Sequence, residues 1–334
     1  MEERTVSPQA PDGVASRARD GVAAAPPDEP PARGEARGEV AMASAPPQQS
    51  PPEVKPSCSC GGGCGQGASP AEGATGRGLA SYVYAVGRIE PRLPSLGVEK
   101  EFAQATGRAE TANLTDRQAL HAVLSEPQNR YLARHLCFVL VIQGIETYIL
   151  RPRDPVDYAL IVDALGAAPR ASDLHAVIGL RGAFAPPDLC NGLMLPVVAF
   201  DQIYAFDEES LVAGLPRPDT VEDDAFRSAS RELFESVLQI ADNAGASDEH
   251  RALNYVTMRY AAIYAKTADA FASGLSLTGI ETRTSRLSGS RNIQDVLFSY
   301  TDRTTDVTEK YFVRVDVTEE FPFLVTKLSP YYDR

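Results

Sequence analysis

Tryptophan is missing from all 334 residues, and histidine occurs four times, as His121, His135, His175 and His250. None of those histidines sits in an H-E-x-x-H or a paired Cys/His ligand spacing, so the familiar zinc hydrolase and zinc-finger patterns are absent. No G-x-S-x-G elbow, P-loop or strand-borne G-x-G-x-x-G occurs either. Long apolar runs are scarce: "CFVLVI" (Cys137–Ile142), even with Leu136 before it, is far short of the roughly 20 residues that span a bilayer. Positive charge is in deficit, 32 Lys and Arg against 45 Asp and Glu, for a net charge of −13. Nucleic acids and anionic membranes need a basic footprint, so neither is an expected partner.

The first 80 residues lack still more. They hold no Phe, Tyr, Trp or Ile, and their one leucine is Leu79. Prolines crowd there in "PPDEPPARGEARGE" and "SAPPQQSPPE". Such a stretch cannot bury enough apolar surface to offset an ordering entropy of about 1–2 kcal/mol per residue. The sequence predicts a disordered arm over 1–79. The chain opens "MEERTV", without the basic n-region and apolar core of an export signal. The expected compartment is therefore the cytoplasm, where the five cysteines stay reduced and a structural disulfide is not expected.

What remains has element signals throughout. Tyr82, Tyr84 and Val86 alternate along a strand, and Val98–Thr106 reads as a short helix. "TDRQALHAVLSEP" carries a capping box, Thr115 with Gln118, over a stripe of Leu120, Val123 and Leu124. "LCFVLVIQGIETYILRP" reads as a hairpin bent near Gly144. Asp154 and Pro155 open the next helix. "LHAVIGLRG" and "LPVVAFDQIYAF" read as strands. A composition break at Ala213–Asp224 separates a first subdomain, 80–215, from a second, 216–334.

In the second, Phe226, Leu233, Phe234, Val237 and Ile240 form one helical stripe ending near Gly245. A second long helix is predicted from Ser247 to Ala272. Four strands follow, with turns at Ser288–Ser290 and Asp302–Asp306. The fold class is α+β: a mixed strand and helix subdomain, then a helix pair packed on a C-terminal antiparallel sheet.

Candidate chemistry is thin. Cys137, Cys190 and His135 offer zinc-type ligands, but no spacing pairs them. Buried apolar packing for Cys137 and a loop position for Cys190 is the plainer reading. Cys58, Cys60 and Cys64 in "CSCGGGCGQG" give C-x-C-x3-C, one ligand short of a closed site, on a glycine-rich tether. Glu99 and Glu101 lie two apart on a helix and do not face each other. Arg283, Arg286, Arg291 and Arg303 flank the sheet turns, where guanidinium groups at one end could hold carboxylate-bearing peptide; ordinary edge protection by charge is the plainer reading. No catalytic residue and no cofactor is expected.

Several long strings are recognisable: "SYVYAVGRIEPRLPSLGVEKEFAQATGR", "LTDRQALHAVLSEPQNRYLARHLCFVL", "ETYILRPRDP" and "DVTEKYFVRVDVTEEFPFLVTKLSPYYDR". They resemble the C-terminal domain of PatG-type cyanobactin maturation proteins, a relative of which ends PatA-type proteases. The likeness runs from Ser81 to Arg334. It implies a place in the maturation of ribosomally made, macrocyclised peptides. The subtilisin-like protease domain of those proteins has no counterpart here, so the resemblance carries over no catalytic residue.

The expected function is a non-catalytic accessory module that binds a precursor peptide or a subtilisin-like maturation protease. The alternatives are a zinc-binding or otherwise cryptic enzyme domain, and an oligomerisation module whose Phe226–Ile240 stripe seams a homodimer.

Overall fold

The computed structural model describes residues 81–107, 114–170 and 172–332. The predicted arm over 1–79, with Cys58, Cys60 and Cys64, lies outside the described residues.

Five strands make a closed barrel: β1 (Tyr82–Arg92), β2 (Cys137–Ile142), β3 (Ile145–Pro152), β4 (Asp173–Phe184) and β5 (Pro196–Asp207). Their order around it is β1-β2-β3-β5-β4, and only the β3–β5 pairing is parallel. The β2–β3 hairpin turns through Gln143 and Gly144, both at positive φ, as a two-residue primed turn requires. The barrel is filled rather than hollow. Val83, Ala85, Ile89, Phe138, Leu140, Leu150, Val177 and Phe200 sit in one core. The other face of β1 is buried too: Tyr84 and Val86 pack with Ala176, Ile178, Tyr255 and Met258. That double burial explains the unbroken apolar run at the start of β1.

Short helices feed the barrel core. They are α1 (Leu96–Thr106), α2 (Asp116–Ser125), a 3-10 helix over Pro127–Arg134, and α3 (Tyr158–Leu165). The predicted capping box forms in full at α2, and Leu120, Val123 and Leu124 are the residues it buries. His175 is wholly buried on β4. Its Nδ1 accepts from the Ile89 amide at 3.2 Å, and its Nε2 lies 2.8 Å from the Ala164 carbonyl. Those partners require the neutral ring protonated at Nε2.

A short α4 (Glu208–Ala213) leads to α5 (Asp223–Leu238), α6 (Asp248–Arg259) and α7 (Ala262–Ala272). These pack on a meander of β6 (Leu275–Thr284), β7 (Ile293–Asp302), β8 (Thr308–Asp316) and β9 (Phe323–Tyr331), in that spatial order. Phe226, Leu233, Phe234 and Val237 meet Val296, Phe298, Tyr300, Val313 and Val315 in one core. Burying a side chain such as Phe298 contributes roughly 1.5–3 kcal/mol. The α5 stripe is thus consumed within the chain rather than left as a dimer seam.

Two helix expectations change. The stripe predicted to run to Gly245 stops at Leu238, where Gln143 Nε2 takes the carbonyls of Leu238 and Ile240 at 2.5 and 2.9 Å. The single helix predicted from Ser247 to Ala272 breaks at Tyr260–Ala261. Tyr260 leaves helical geometry and its hydroxyl accepts from the Leu328 amide of β9 at 3.0 Å. A tertiary bond overrides a continuous local pattern there.

All described residues fall in one compact unit. The joint between barrel and helices is polar. Tyr84 N donates to the Gly245 carbonyl at 2.8 Å, and Asn254 Nδ2 donates to the Tyr84 carbonyl at 2.8 Å. Asn254 and Asn243 also exchange amide bonds of 2.8 and 3.1 Å.

Candidate binding pocket

β1 keeps its register with β2 as far as Arg92, and Leu93 and Pro94 lead from it to the next helix. Ser95 then caps α1, its hydroxyl accepting from the Val98 amide at 3.4 Å. With α2 capped by Thr115 and Gln118, the two helices stand beside the end of β1. Between them lies a pocket of about 510 Å³. Leu93, Phe102, Leu120 and Leu136 give it apolar walls, and Glu90, Arg92, Asp116 and Arg117 supply charge. Arg92 pairs with Glu146 and lies 3.6 Å from Glu90. Arg117 is different: its Nε and Nη2 are shielded from solvent and have no hydrogen-bond partner among the described residues. Burial pulls its pKa below the usual arginine value; Asp173 and Glu90 oppose that from a distance and Arg88 reinforces it. A guanidinium stays charged even so.

A second cleft of about 380 Å³ shares Arg92 and Leu93 and reaches Cys137 and Cys190. Those two cysteines are joined in a disulfide, with Cα atoms 5.5 Å apart. This corrects the expectation of unpaired thiols. The bond staples the start of β2 to the β4–β5 loop, two places 53 residues apart that sequence spacing could not connect. Neither sulfur is then a thiolate for zinc. His135 is exposed and meets the Tyr131 ring edge-on at 6.3 Å, away from any ligand set. No group of three or more His, Cys, Asp or Glu converges as a metal site among the described residues.

The turn arginines divide. Successive turns of a meander lie at opposite ends of the sheet, so Arg303 is a full strand length from the other three. It bonds Ser276 at 2.7 Å. Arg283 pairs with Glu281 at 2.5 Å, and Arg291 with the buried carboxylate of Asp316. Arg286 is exposed beside Leu287. The grouping of all four at one end is corrected by the geometry. Glu99 and Glu101 are both exposed on α1 and do not converge; Glu101 accepts from the Tyr131 hydroxyl at 2.9 Å.

Sequence reasoning missed a further pair. Arg153 lies 2.9 Å from Asp201 on β5 and 3.1 Å from Glu320 in the β8–β9 turn. Burial, with Asp201 beside it, pushes Glu320 up to about 7. It missed Arg117 as well, two of whose nitrogens are sealed from solvent only in the folded chain.

Residues 220–331 match the PatG C-terminal family. That span holds α5 to α7 and the whole meander to the end of β9. A solved structure described as "PatG Domain of Unknown Function" superposes with a TM-score of 0.60 at 20% identity. The match covers 75% of this chain and 99% of that one. At that identity the likeness establishes a shared fold. No curated protein matches the chain. The PatG C-terminal resemblance read from the sequence is therefore supported by both the family model and the fold.

Proposed function

We propose that this chain is a non-catalytic binding module in the maturation of ribosomally made peptides, and that it holds an extended segment of the precursor peptide. The observation that carries the reading is the pocket between α1, α2 and the end of β1. It is open, largely apolar and large enough for one bulky side chain with its flanking backbone. The acidic pair Glu90 and Asp116 at its rim is balanced by Arg92 and Arg117, so a peptide meets no dominant repulsion. The PatG C-terminal match supports the pathway, and a subtilisin-like maturation protease is the second source of such a segment.

Calorimetry of the full chain against precursor leader and core segments tests this. Binding that weakens about tenfold or more in Phe102→Ala supports the pocket. Binding unaffected by Phe102→Ala removes the pocket from the account, and no binding by any precursor segment or by the protease removes the reading itself.

A further inference from the structure

The β4–β5 loop, residues 185–195, has one covalent tie to the barrel. Its base is closed by the Ala185 amide, which donates to the Leu195 carbonyl at 2.8 Å. Beyond that base, among the described residues, its backbone hydrogen bonds run within it. Leu189 N donates to the Pro186 carbonyl at 3.0 Å, and Leu193 N to the Cys190 carbonyl at 3.3 Å. The buried residues beneath it, Cys137, Ile149, Ala185 and Cys190, form a small cluster separate from the barrel core. Three successive residues at its tip, Cys190, Asn191 and Gly192, have φ of +57°, +54° and +83°. Glycine adopts that conformation freely, whereas a residue with a Cβ stays there when its surroundings hold it. The Cys190–Cys137 bond and the packing of Leu189 and Leu193 supply that hold. The bond is also within reach of solvent. The cleft of about 380 Å³ is lined by both cysteines together with Leu93, Pro94 and Leu193. Cys137 opens β2 and is 2% exposed; Cys190, in the loop, is 8% exposed.

We propose that the Cys137–Cys190 disulfide is a thiol-exchange site, at which a low-molecular-weight thiol entering the cleft frees the loop from the barrel. The thiolate attacks Cys190 Sγ, on the more exposed residue, and a new S–S bond forms there. The bond to Cys137 breaks, and Cys137 leaves as a thiolate that takes up the proton lost by the attacking thiol. A second thiol then displaces Cys190 in the same way and departs with the first as their own disulfide. Two thiols are oxidised, one protein disulfide is reduced, and the two protons end on Cys137 and Cys190. The barrel core stays closed, because the cluster under the loop is separate from it. Arg92 and Leu93 line both this cleft and the larger pocket, so release of 190–193 widens the two together. The exchange does not depend on what the larger pocket binds.

Reduced glutathione added to the full chain at pH 8 tests this, with the cysteines alkylated at intervals and mapped by mass spectrometry. The Cys137–Cys190 bond opens at a rate that rises with glutathione and changes less than about twofold on adding about 1 M urea, below the unfolding transition. Hydrogen exchange over 186–194 then reaches the rate of an unfolded chain while the amides of β1 to β5 stay protected. In Cys137→Ala, Cys190 takes an adduct from oxidised glutathione at least tenfold faster than Cys137 does in Cys190→Ala. A bond that opens only with the steep urea dependence of global unfolding overturns the site. A loop that keeps its protection once both cysteines are reduced overturns the release, and equal adduct rates in the two variants overturn the order of attack.

Discussion

Replacing Gly245 by alanine should cost far more than the loss of one flexible residue. Gly245 has φ +69°, and an added Cβ would lie 2.3 Å from the Tyr84 carbonyl oxygen and 2.6 Å from the Ala85 Cα. Both are backbone atoms of β1, so no side chain can swing aside. The left-handed conformation alone costs alanine about 1–2 kcal/mol. Relief of the clash must push β1 away, breaking the bond from Tyr84 N to the Gly245 carbonyl. A buried donor left unsatisfied costs about 1–3 kcal/mol. The sum is about 2–5 kcal/mol, a large share of the 5–15 kcal/mol typical of a domain. Gly144 is the control. It has φ +80° with nothing within 4 Å of its added Cβ, so Gly144→Ala should lose only the conformational part, about 1–2 kcal/mol. Urea titrations of both variants, read as midpoint at constant slope, isolate the close-approach contribution. If the two variants lose the same stability within about 0.5 kcal/mol, the account of the β1 joint is wrong.

The remaining expectations use the same measurement. Cys190→Ser opens a 53-residue loop, and chain entropy sets the loss at about 4 kcal/mol; a urea midpoint that ignores both the mutation and added dithiothreitol would show that the staple contributes nothing. His175 is held neutral by burial, with its folded pKa below the ordinary 6.5. Its contribution is complete above that value and is lost as pH falls through it, so stability should decline from pH 7 to 5, and His175→Leu should flatten that decline. Glu320 has the opposite sign. Its folded pKa, about 7, exceeds the ordinary 4.5, so its contribution is present at low pH and lost as pH rises through 7. Glu320→Gln should remove a downward slope between pH 4.5 and 7; a slope unchanged in the variant would clear the Asp201 pair of any such role.

Local chemistry made much of the fold legible. Thr115 and Gln118 announced a helix start because a capping box is a four-residue device, and the Gly144 hairpin because its turn spans two residues. The meander was readable from alternation along β7 and β8. Closure of the barrel was not, since it needs β1 to pair with β4 and β3 to run parallel to β5, contacts that leave no mark within a window of sequence. The break at Tyr260 was hidden for the same reason: its cause is the Leu328 amide, 68 residues away. At the pocket, Leu120 was read as core and is, yet it also faces the cavity. The sealed nitrogens of Arg117 were invisible because the burial of single atoms is a property of space, not of composition. The arginine turns failed differently, since alternating turns of a meander point to opposite ends, and that geometry was available from the strand assignments.

The polar joint at β1 also sets an order of events during synthesis. Tyr84 is made early, but Asn254, which donates to its carbonyl, follows 170 residues later. At 5–20 residues per second the interval is roughly 10–30 s. Throughout it, "YVYAVG" at the head of β1 is an apolar β-prone segment without its final partners. A strand whose first half is enclosed on both faces in the finished protein is thus long exposed to aggregation on the ribosome, and yield in a cell should depend more on chaperone supply during translation than on the stability of the folded chain.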